Sequence, residues 1–469
     1  MTGSDYNVAL FVFFIPYILL EVPSNLVLKR VAPSTWLAGI MVLWGVCTVG
    51  QGVVRGFGGL VGMRVLVGGF EAGLFPGMFV CCCFFSMHPS IYPFVGVYLS
   101  IYLSVYLYQY THVHTCTHIH PPSPKLTPLP PGCMYLISMY YHRYELQLRF
   151  TLFFSASILA GAFGGLLAFL LAKLDGVGSY SGWRWIFIIE GLLTVVVGVA
   201  AKFWVPDWPE TASFLSDDER ALLVARLAAE TGPARMDRLD KRAAKRIVRD
   251  VKMWLGTVMY FGIVNTGYAG SFFIPSIIRE LGYTAAAAQV RSIPIFVVAA
   301  VAAVGASYLT DRMRHRFWFI MFGLIVASVG YILLLCGARL SAGVKYFALF
   351  LIVPGGYIAQ PIVLVWVSNL MSGHYKRSVS SAVQVGLGNI GGIVASNVFF
   401  ESEAKNARYP TGYGVSLGML WICGVASVVL LFYVKRENRR RDRGERDYRL
   451  EEEDSENLGD DHPHFRFTT

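Results

Sequence analysis

Charged residues are scarce in this chain of 469 amino acids. They make up 15% of the sequence, whereas hydrophobic residues make up 55% and the mean hydropathy is +0.52. A soluble domain has about 25% charged residues, which it needs to cover its surface. The composition therefore excludes an ordinary cytosolic enzyme and a disordered protein. Because long apolar runs must satisfy their own backbone in lipid, the sequence predicts an all-α, polytopic membrane protein.

Paired cysteines, a leader peptide and enzyme motifs are also missing. The eight cysteines show no disulfide framework, and Cys47, Cys336 and Cys423 lie in apolar runs, where cysteine acts as a small hydrophobe. Residues 1–7 carry an acid instead of a basic region, so we predict no cleavable signal peptide. No glycine-rich nucleotide loop follows a strand, and no catalytic triad or metal-ligand spacing occurs outside residues 78–132. We therefore predict no enzyme, no cofactor and no metal site.

Eleven apolar runs can cross a bilayer, because a membrane-spanning helix needs about 20 predominantly apolar residues. The 47 glycines agree with this reading, since glycine is common in membrane helices. The runs cover residues 6–28, 36–53, a stretch from residue 60, 152–174, 185–204, 253–274, 293–309, 317–336, 347–366, 379–399 and 415–434.

The basic residues predict the orientation of these spans. A net charge of +10 would suit a nucleic-acid partner, but the charges lie between and after the apolar runs, so we predict the lipid bilayer as partner and no nucleic acid. Most of the 40 Lys and Arg residues fall in alternate connections, which should be cytoplasmic. The C-terminus is then inside and the first residue outside. A bundle with both ends inside would need one more helix before Tyr6.

Two charged segments divide the chain. Residues 205–252 separate five spans from six, and Ser216 with Glu219 forms a capping box at the start of a polar helix, so we predict a cytoplasmic linker. Residues 435–469 hold a basic run followed by an acidic one, and we predict a disordered cytoplasmic tail whose basic part rests on anionic lipid headgroups. The two transmembrane halves are then residues 1–204 and 253–434.

Residues 78–132 differ from the rest of the chain. They contain VYLSIYLSVYLY, THVHTCTHIH and PPSPKLTPLPPG, the products expected when simple-sequence DNA is read in frame. We interpret the segment as a retained intron. Its removal joins residues 64–77 to 133–141 as one helix of about 23 residues, long enough to cross the membrane. Its alternating histidines can bind zinc, but they lack the usual separated ligand pairs, so translated repeat is the preferred interpretation.

The two halves of the chain repeat each other. VLKRVAPSTW (27–36) and YLTDRMRHRFW (308–318) are both basic loops between consecutive spans, and GAFGG (161–165) and GNIGG (388–392) both place glycines four apart. If one helix precedes Tyr6, each pair is offset by six helices. A parallel repeat of two six-helix halves is typical of the major facilitator architecture.

Four motifs resemble one branch of that superfamily, the fungal allantoate permease-type anion:cation symporters. They are YNVALFVFFIPYILLEVPSN (6–25), RVLVGGFEAGLFPG (64–77), GWRWIFIIEG (182–191) and VPDWPETASFLSDDER (205–220). The resemblance covers residues 1–434 apart from the insert and implies the major facilitator fold with helix 1 missing. It also implies a secondary transporter that imports a small organic anion (a vitamin, ureide or carboxylate) with protons, acting as a monomer in the plasma membrane.

Arg64 and Glu71 are the predicted proton-coupling residues. They are seven positions apart, so they share one face of a helix two turns apart. A carboxyl group in a low-dielectric cavity can take up a proton near neutral pH. Members of the resembled family carry the same spacing, which implies Glu71 as the proton carrier. The alternative is a structural ion pair, or a Glu bonded to neighbouring helices.

Uncharged polar residues of the second half are candidates for substrate contacts. Asn265 and Tyr268 are three apart on one helix face, and the resemblance matches Asn389 to an anion-contacting position. Each of these residues could instead make an interhelical hydrogen bond. The full candidate set is Asn265, Tyr268, Gln360, Gln384 and Asn389.

Gating residues are predicted in the basic loops. Asp311 and Arg312 belong to a loop motif that, by the resemblance, holds the inward gate shut. Glu21 lies near the inner end of its span and is interpreted as a gate or interhelical contact with basic loops such as Lys29 and Arg30.

Glu190 is interpreted as structural, with nearby Arg184 as its partner.

Two alternative functions stay open at this point. A non-transporting nutrient sensor on the same scaffold would keep ligand binding without needing a titrating Glu71. The chain could also be an inactive product of a truncated or mis-spliced gene, because it carries the insert and lacks a first helix.

Overall fold

A computed structural model describes residues 31–74, 140–205, 215–231, 240–336, 340–399, 409–451 and 457–469, with isolated positions at 12–27, 207, 208, 211 and 236. All regular secondary structure in these residues is helical. The α-helices in chain order are α1 Pro33–Val53, α2 Phe57–Leu74, α3 Leu146–Ala172, α4 Gly182–Trp204, α5 Asp217–Thr231, α6 Lys241–Val248, α7 Val251–Glu280, α8 Ala285–Met313, α9 Phe317–Leu335, α10 Ala342–Asn369, α11 His374–Gly388, α12 Ile390–Asn397 and α13 Pro410–Asp442.

Seven helical stretches in the described residues are long and apolar enough to cross a membrane, with α11 and α12 contributing one stretch together. A bent helix, α7, makes the number eight if its two parts count as one span. The prediction of an all-helical membrane protein is therefore confirmed. The count of eleven spans and the missing first helix stay predictions, because much of the run 6–28 and all of residues 78–132 lie outside the described residues.

Proline accounts for the bend in α7. The axis turns by 43° between the parts Val251–Gly270 and Ile274–Glu280, one turn before the ring of Pro275. A proline inside a helix has no N–H to donate and clashes with the carbonyl one turn earlier, so it kinks the helix there.

Glycines allow the helices to touch backbone to backbone. A Cβ atom on Gly45 of α1 would lie 2.9 Å from the carbonyl oxygen of Gly191 on α4, and one on Gly191 would lie 2.8 Å from the carbonyl oxygen of Gly45. Gly323 of α9 and Gly355 of α10 face each other in the same way, at 2.6 Å in both directions. The hydrophobic effect does not drive helices together in lipid. Small residues instead allow close van der Waals packing, which stabilises the contact.

The bundle has an apolar exterior and a partly polar interior. Large side chains such as Phe203, Trp318 and Phe432 are exposed, as expected of lipid-facing positions. Helix α10 is central to the second half, since every residue from 352 to 369 is buried.

The linker helix α5 begins as the sequence predicts. The backbone N–H of Ser216 donates to Glu219 Oε2 at 3.0 Å, and the backbone N–H of Glu219 donates to Ser216 Oγ at 3.3 Å, which is the capping box. The hydrogen bonds that the Ser216 backbone N–H and hydroxyl donate to the Glu219 carboxylate lower the pKa of Glu219.

Residues 435–451 and 457–469 differ from the predicted disordered tail. The basic run continues α13 as helix to Asp442, where Arg439, Arg440 and Arg441 lie in the last turn and suit the negative end of the helix dipole. Residues 457–469 then fold back against the end of the bundle at which Lys252, Arg316 and Lys376 lie. We call this end of the molecule the basic end.

Candidate functional site

Buried polar side chains meet in the middle of the second half. Asn265, Tyr268 and Asn389 are at most 1% exposed, and Gln360 is 3% exposed. The Tyr268 hydroxyl donates to Asn389 Oδ1 at 3.3 Å, which joins α7 to the residue between α11 and α12. The Asn389 amide in turn donates to the carbonyl of Val385 at 2.7 Å. The structure therefore brings these predicted residues into one region.

Glycine makes room for this region. A Cβ atom on Gly267 would lie 2.9 Å from Gln360 Oε1, so glycine at this position leaves the Gln360 amide in its place against α7. Gly392 packs against the ring of Tyr268. A Cβ atom on Gly392 would lie 2.5 Å from Cε2 of Tyr268. The Gly-rich stretch that follows Asn389 thus positions the tyrosine.

Gln384 lies apart from this group. It donates to the carbonyl of Gly256 at 3.3 Å, and it precedes Asn389 on a helix that starts at the basic end. Five residues of helix are about 7.5 Å. Gln384 is therefore placed between the central polar group and the basic end.

The Asn265 side-chain amide has hydrogen-bonding atoms that are left for a ligand. Its Oδ1 and Nδ2 atoms are buried and have no hydrogen-bond partner among the described residues, and the same holds for Gln360 Oε1. Buried amides are almost always hydrogen-bonded, so each such exception calls for a water molecule or a ligand. These atoms can donate to and accept from a small polar substrate.

The first half places a buried cation in the bundle. Arg64 lies on α2 and is 4% exposed. Glu71 belongs to the same helix, seven positions later, but its side chain lies outside the described residues. The predicted gating residues Glu21, Lys29 and Arg30 also lie outside them.

Glu190 does not form the predicted pair with Arg184. The Arg184 guanidinium donates to the carbonyls of Gly52 and Val53 at 3.3 and 3.4 Å. Six residues of helix correspond to about 240° of rotation, so positions 184 and 190 point to different sides. Glu190 is 2% exposed, and neither of its carboxyl oxygens has a hydrogen-bond partner among the described residues.

Glu190 is therefore a candidate that sequence reasoning passed over. Its spacing from Ile186, Phe187 and Thr194 would have revealed it, since these residues share the buried face of α4. A carboxyl group buried within a membrane helix is a functional hypothesis by default.

A second cluster joins the two halves at the basic end. Asp311 Oδ2, on α8, accepts a hydrogen bond from the backbone N–H of Leu148 at 2.9 Å, in the first turn of α3. A carboxylate at a helix N-terminus is favoured by the unsatisfied N–H groups and by the helix dipole. Ser307 Oγ, one turn earlier on α8, donates to Thr151 Oγ1 at 2.6 Å. The two helices are thereby tied together side by side.

Arg316 takes the place that Arg312 was expected to have in this cluster. Arg312 is exposed, whereas Arg316 is 2% exposed and donates to the carbonyl of Arg143 at 2.7 Å. The Asn369 amide donates to the same carbonyl at 2.9 Å. Both donors come from the second half and the acceptor from the first, so this contact closes the basic end. The acceptor is a backbone atom, which the sequence pattern does not indicate.

Comparisons with known proteins agree with this architecture. Residues 127–396 match the family model described as Major Facilitator Superfamily. The chain is 32% identical to an uncharacterised transporter of Schizosaccharomyces pombe, over 94% of the chain and 76% of the relative. It is 26% identical to the high-affinity nicotinic acid transporter of Saccharomyces cerevisiae, over 94% of the chain and 71% of the relative. Among solved structures, the fucose:proton symporter of Escherichia coli superimposes with a TM-score of 0.56 at 11% identity, covering 91% of both chains.

Proposed function

Since the chain belongs to the major facilitator superfamily, we propose that it is a proton-coupled symporter of a small organic anion. It works by alternating access, in which two helical halves rock around a site near the middle of the membrane. The resemblance of its motifs at 6–25, 64–77, 182–191 and 205–220 to the allantoate permease-type anion:cation symporters supports this proposal.

The buried Arg64 is the observation that carries the proposal of an anionic substrate. A cation inside a membrane bundle is costly, so it marks an ion or substrate pathway. The second half offers the neutral amide groups of Asn265 and Gln360. The proposed substrate binds Arg64 through its carboxylate and binds the two amides through its other polar groups. The site then has a charged end and a neutral polar end. The nicotinic acid transporter among the relatives supports a small carboxylate as the substrate class.

Glu71 is the proposed proton carrier, and Glu190 is the second candidate. Glu71 follows Arg64 on α2, so protonation of the carboxyl would change the charge near the substrate's anion. Glu190 is buried on α4, another helix of the first half. A transporter that uses either group should take up substrate faster when the outside is acidic.

The basic end is the proposed cytoplasmic end. Most Lys and Arg residues of the chain lie in its connections, and basic connections face the cytoplasm. The contacts of Asp311 and Arg143 close this end, so the inward gate is shut in this arrangement of the halves. We propose the plasma membrane as the location, residues 205–252 as a cytoplasmic linker between the halves 1–204 and 253–434, and a monomer as the active unit.

Uptake of radiolabelled nicotinate tests the proposal. Yeast cells that lack their own nicotinate carrier would express the chain with and without residues 78–132, and uptake would be measured at about pH 5 and about pH 8, with and without an uncoupler. We expect uptake that is higher at acidic pH and sensitive to the uncoupler. Uptake of a panel of small carboxylates extends the test if nicotinate itself is not carried.

Matched variants separate coupling from folding. Glu71→Gln should abolish net uptake but retain exchange of internal for external substrate, because exchange does not require the proton to leave. Glu190→Gln is tested in parallel. If Glu190→Gln loses net uptake but retains exchange, and Glu71→Gln does not, Glu190 is the proton carrier. Uptake that is equal at both pH values in every chain would exclude proton coupling. Signalling without uptake would indicate a sensor, and no function of either chain form would indicate an inactive gene product.

Transcript sequencing settles which form is natural. Reads that pass directly from the Gly77 codon to the Cys133 codon are expected if residues 78–132 are a retained intron. Transcripts that always contain the segment would contradict that interpretation.

A further inference from the structure

Residues 457–469 bring a fully buried acid to the basic end. Asp460 is 0% exposed, and its carboxylate lies 2.9 Å from the Nζ atoms of Lys252 on α7 and Lys376 on α11. Asp250 completes the cluster, with its Oδ2 atom 2.9 Å from Lys252 and 2.6 Å from Lys376. Two lysines and two aspartates thus neutralise each other away from water. A buried charge without a partner is strongly destabilising, so this arrangement depends on Asp460.

Hydrogen bonds hold the rest of the segment against the second half. The Trp366 indole donates to the carbonyl of Thr468 at 3.1 Å, and the backbone N–H of Arg316 donates to the carbonyl of Thr469 at 3.1 Å. Asn438 of α13 pairs with the backbone of Phe467 in both directions, at 3.0 Å each. The segment therefore lies across helices α9, α10 and α13 in a defined conformation.

The same segment reaches the first half. The Arg143 guanidinium donates to the carbonyl of Arg466 at 3.3 Å and lies 4.3 Å from the centre of the Phe465 ring. Arg143 is also the residue whose own carbonyl receives Arg316 and Asn369 from the second half. Residues 457–469 thus cross the line along which the two halves meet.

We propose that residues 457–469 are an intramolecular ligand of the transporter, bound at a site built from both halves, and that they hold the basic end closed. The site recognises an acidic peptide through the lysine pair Lys252 and Lys376, and aromatic residues next to it through Arg143. This inference depends on alternating access in the proposed function, because the basic end can open only if the halves separate there. The segment must then leave Arg143 in each cycle.

Release changes the charge of the site. When the whole segment leaves, both Asp460 and Asp461 go with it, and Asp250 is the acid that still pairs with the two buried lysines among the described residues, which leaves one uncompensated positive charge. The site then attracts an anion, and the covalently attached segment is the nearest acidic peptide at a high effective concentration. The segment therefore acts as a latch that rebinds whenever the halves close.

A reporter cysteine between the halves tests the latch. Ser307 is fully buried, and its hydroxyl bonds to Thr151 of the other half, so Ser307→Cys should react with N-ethylmaleimide only when the basic end opens. Modification of this cysteine would be followed by peptide mass spectrometry in inside-out vesicles. The readout needs neither substrate nor protons, so it stays informative if the proposed transport activity fails.

The segment is removed after folding, so that a folding defect cannot imitate release. A protease site placed between Glu451 and Asn457 allows the folded protein to be cut and washed with high salt, and mass spectrometry confirms the loss of residues 457–469. Asp460→Asn in the uncut protein removes the buried charge alone. Asp461→Asn is the matched control, since this acid is 25% exposed, bonds to Arg449 at 2.8 Å and reaches the cluster only through a 3.9 Å contact with Lys376.

We expect cysteine modification to be about tenfold faster in the cut protein and in Asp460→Asn, because a buried ion cluster has lost one member. Asp461→Asn should change the rate far less than Asp460→Asn, because its carboxylate is partly exposed and lies 3.9 Å from Lys376. An intact rate in the washed, cut protein would overturn the proposal, as would equal acceleration by Asp460→Asn and Asp461→Asn.

Discussion

Asp460 is held ionised by its neighbours. Burial raises the pKa of a carboxyl group, but Lys252 and Lys376 outweigh it and keep the pKa of Asp460 well below its usual range. A carboxyl whose pKa is lowered on binding stabilises the bound form above its ordinary pKa, and this stabilisation is lost as the pH falls through the lowered value. The stabilisation that Asp460 gives to the bound segment is therefore present throughout the physiological pH range.

His462 makes the segment sensitive to mild acid. Burial, together with the charges of His464 and Arg441, lowers the pKa of His462. The bound segment therefore favours the neutral imidazole. The contribution of His462 to binding is complete above the ordinary histidine pKa of about 6.5 and weakens as the pH falls below it. We predict that the cleaved segment is retained less well at about pH 5.5 than at about pH 7.5.

Retention of the cut 457–469 peptide on the purified protein checks this prediction. The bound fraction would be measured by mass spectrometry after gel filtration at the two pH values. His462→Gln should remove the difference, because glutamine keeps a polar side chain that does not titrate. A pH dependence that persists in His462→Gln would assign the effect to another group.

At the scale of single helices, contact between α1 and α4 depends on glycine. A Cβ atom on Gly45 would lie 2.9 Å from both the carbonyl oxygen of Gly191 and the backbone nitrogen of Val195. Neither backbone atom can move without shifting a helix, and overpacking of this kind costs about 1–3 kcal/mol. We predict that Gly45→Ala lowers the melting temperature of the purified protein.

The same helix provides the control for this prediction. Gly39 is exposed, and a Cβ atom there would meet nothing within 4 Å. Because alanine is a better helix former than glycine, Gly39→Ala should leave the melting temperature unchanged or raise it. Equal losses in both variants would show that the loss in Gly45→Ala does not come from its contact with α4.

Most helices could be predicted from the sequence, because each depends on a local run of apolar residues. The predicted spans 36–53, 185–204 and 317–336 match α1, α4 and α9 closely. The capping box at Ser216 was predictable for the same reason, since its partners are three residues apart. Local patterns are sufficient wherever the partners are near in sequence.

Partners that are distant in sequence could not be predicted. The expected pairing of Arg184 with Glu190 was wrong because nearness in sequence does not place two residues on one helix face. The position of residues 457–469 was missed because their composition is that of a disordered tail, and they are held by residues distant in sequence, among them the buried lysines of α7 and α11. The central polar group depends similarly on glycines that let α7, α10 and α12 approach each other.

At the scale of the whole molecule, several contacts oppose the opening of the basic end, and two of them depend on a carboxylate. One is the bond from the Leu148 N–H to Asp311, and the other is the bound 457–469 segment with its Asp460. They lie on different helices and share no atoms. If both act on a single closed–open equilibrium of the halves, their free energies should add, as they do for independent sites.

We therefore predict that Asp311→Asn and Asp460→Asn together accelerate modification of the Ser307→Cys reporter by the product of their separate effects. Asp311→Asn keeps an acceptor oxygen but loses the charge, which should weaken closure by about 1–2 kcal/mol, or roughly 5- to 30-fold. Arg312→Gln is the control, because Arg312 is exposed at the same end and should not change the rate. A double variant no faster than the faster single variant would mean that one contact controls the gate and the other follows it.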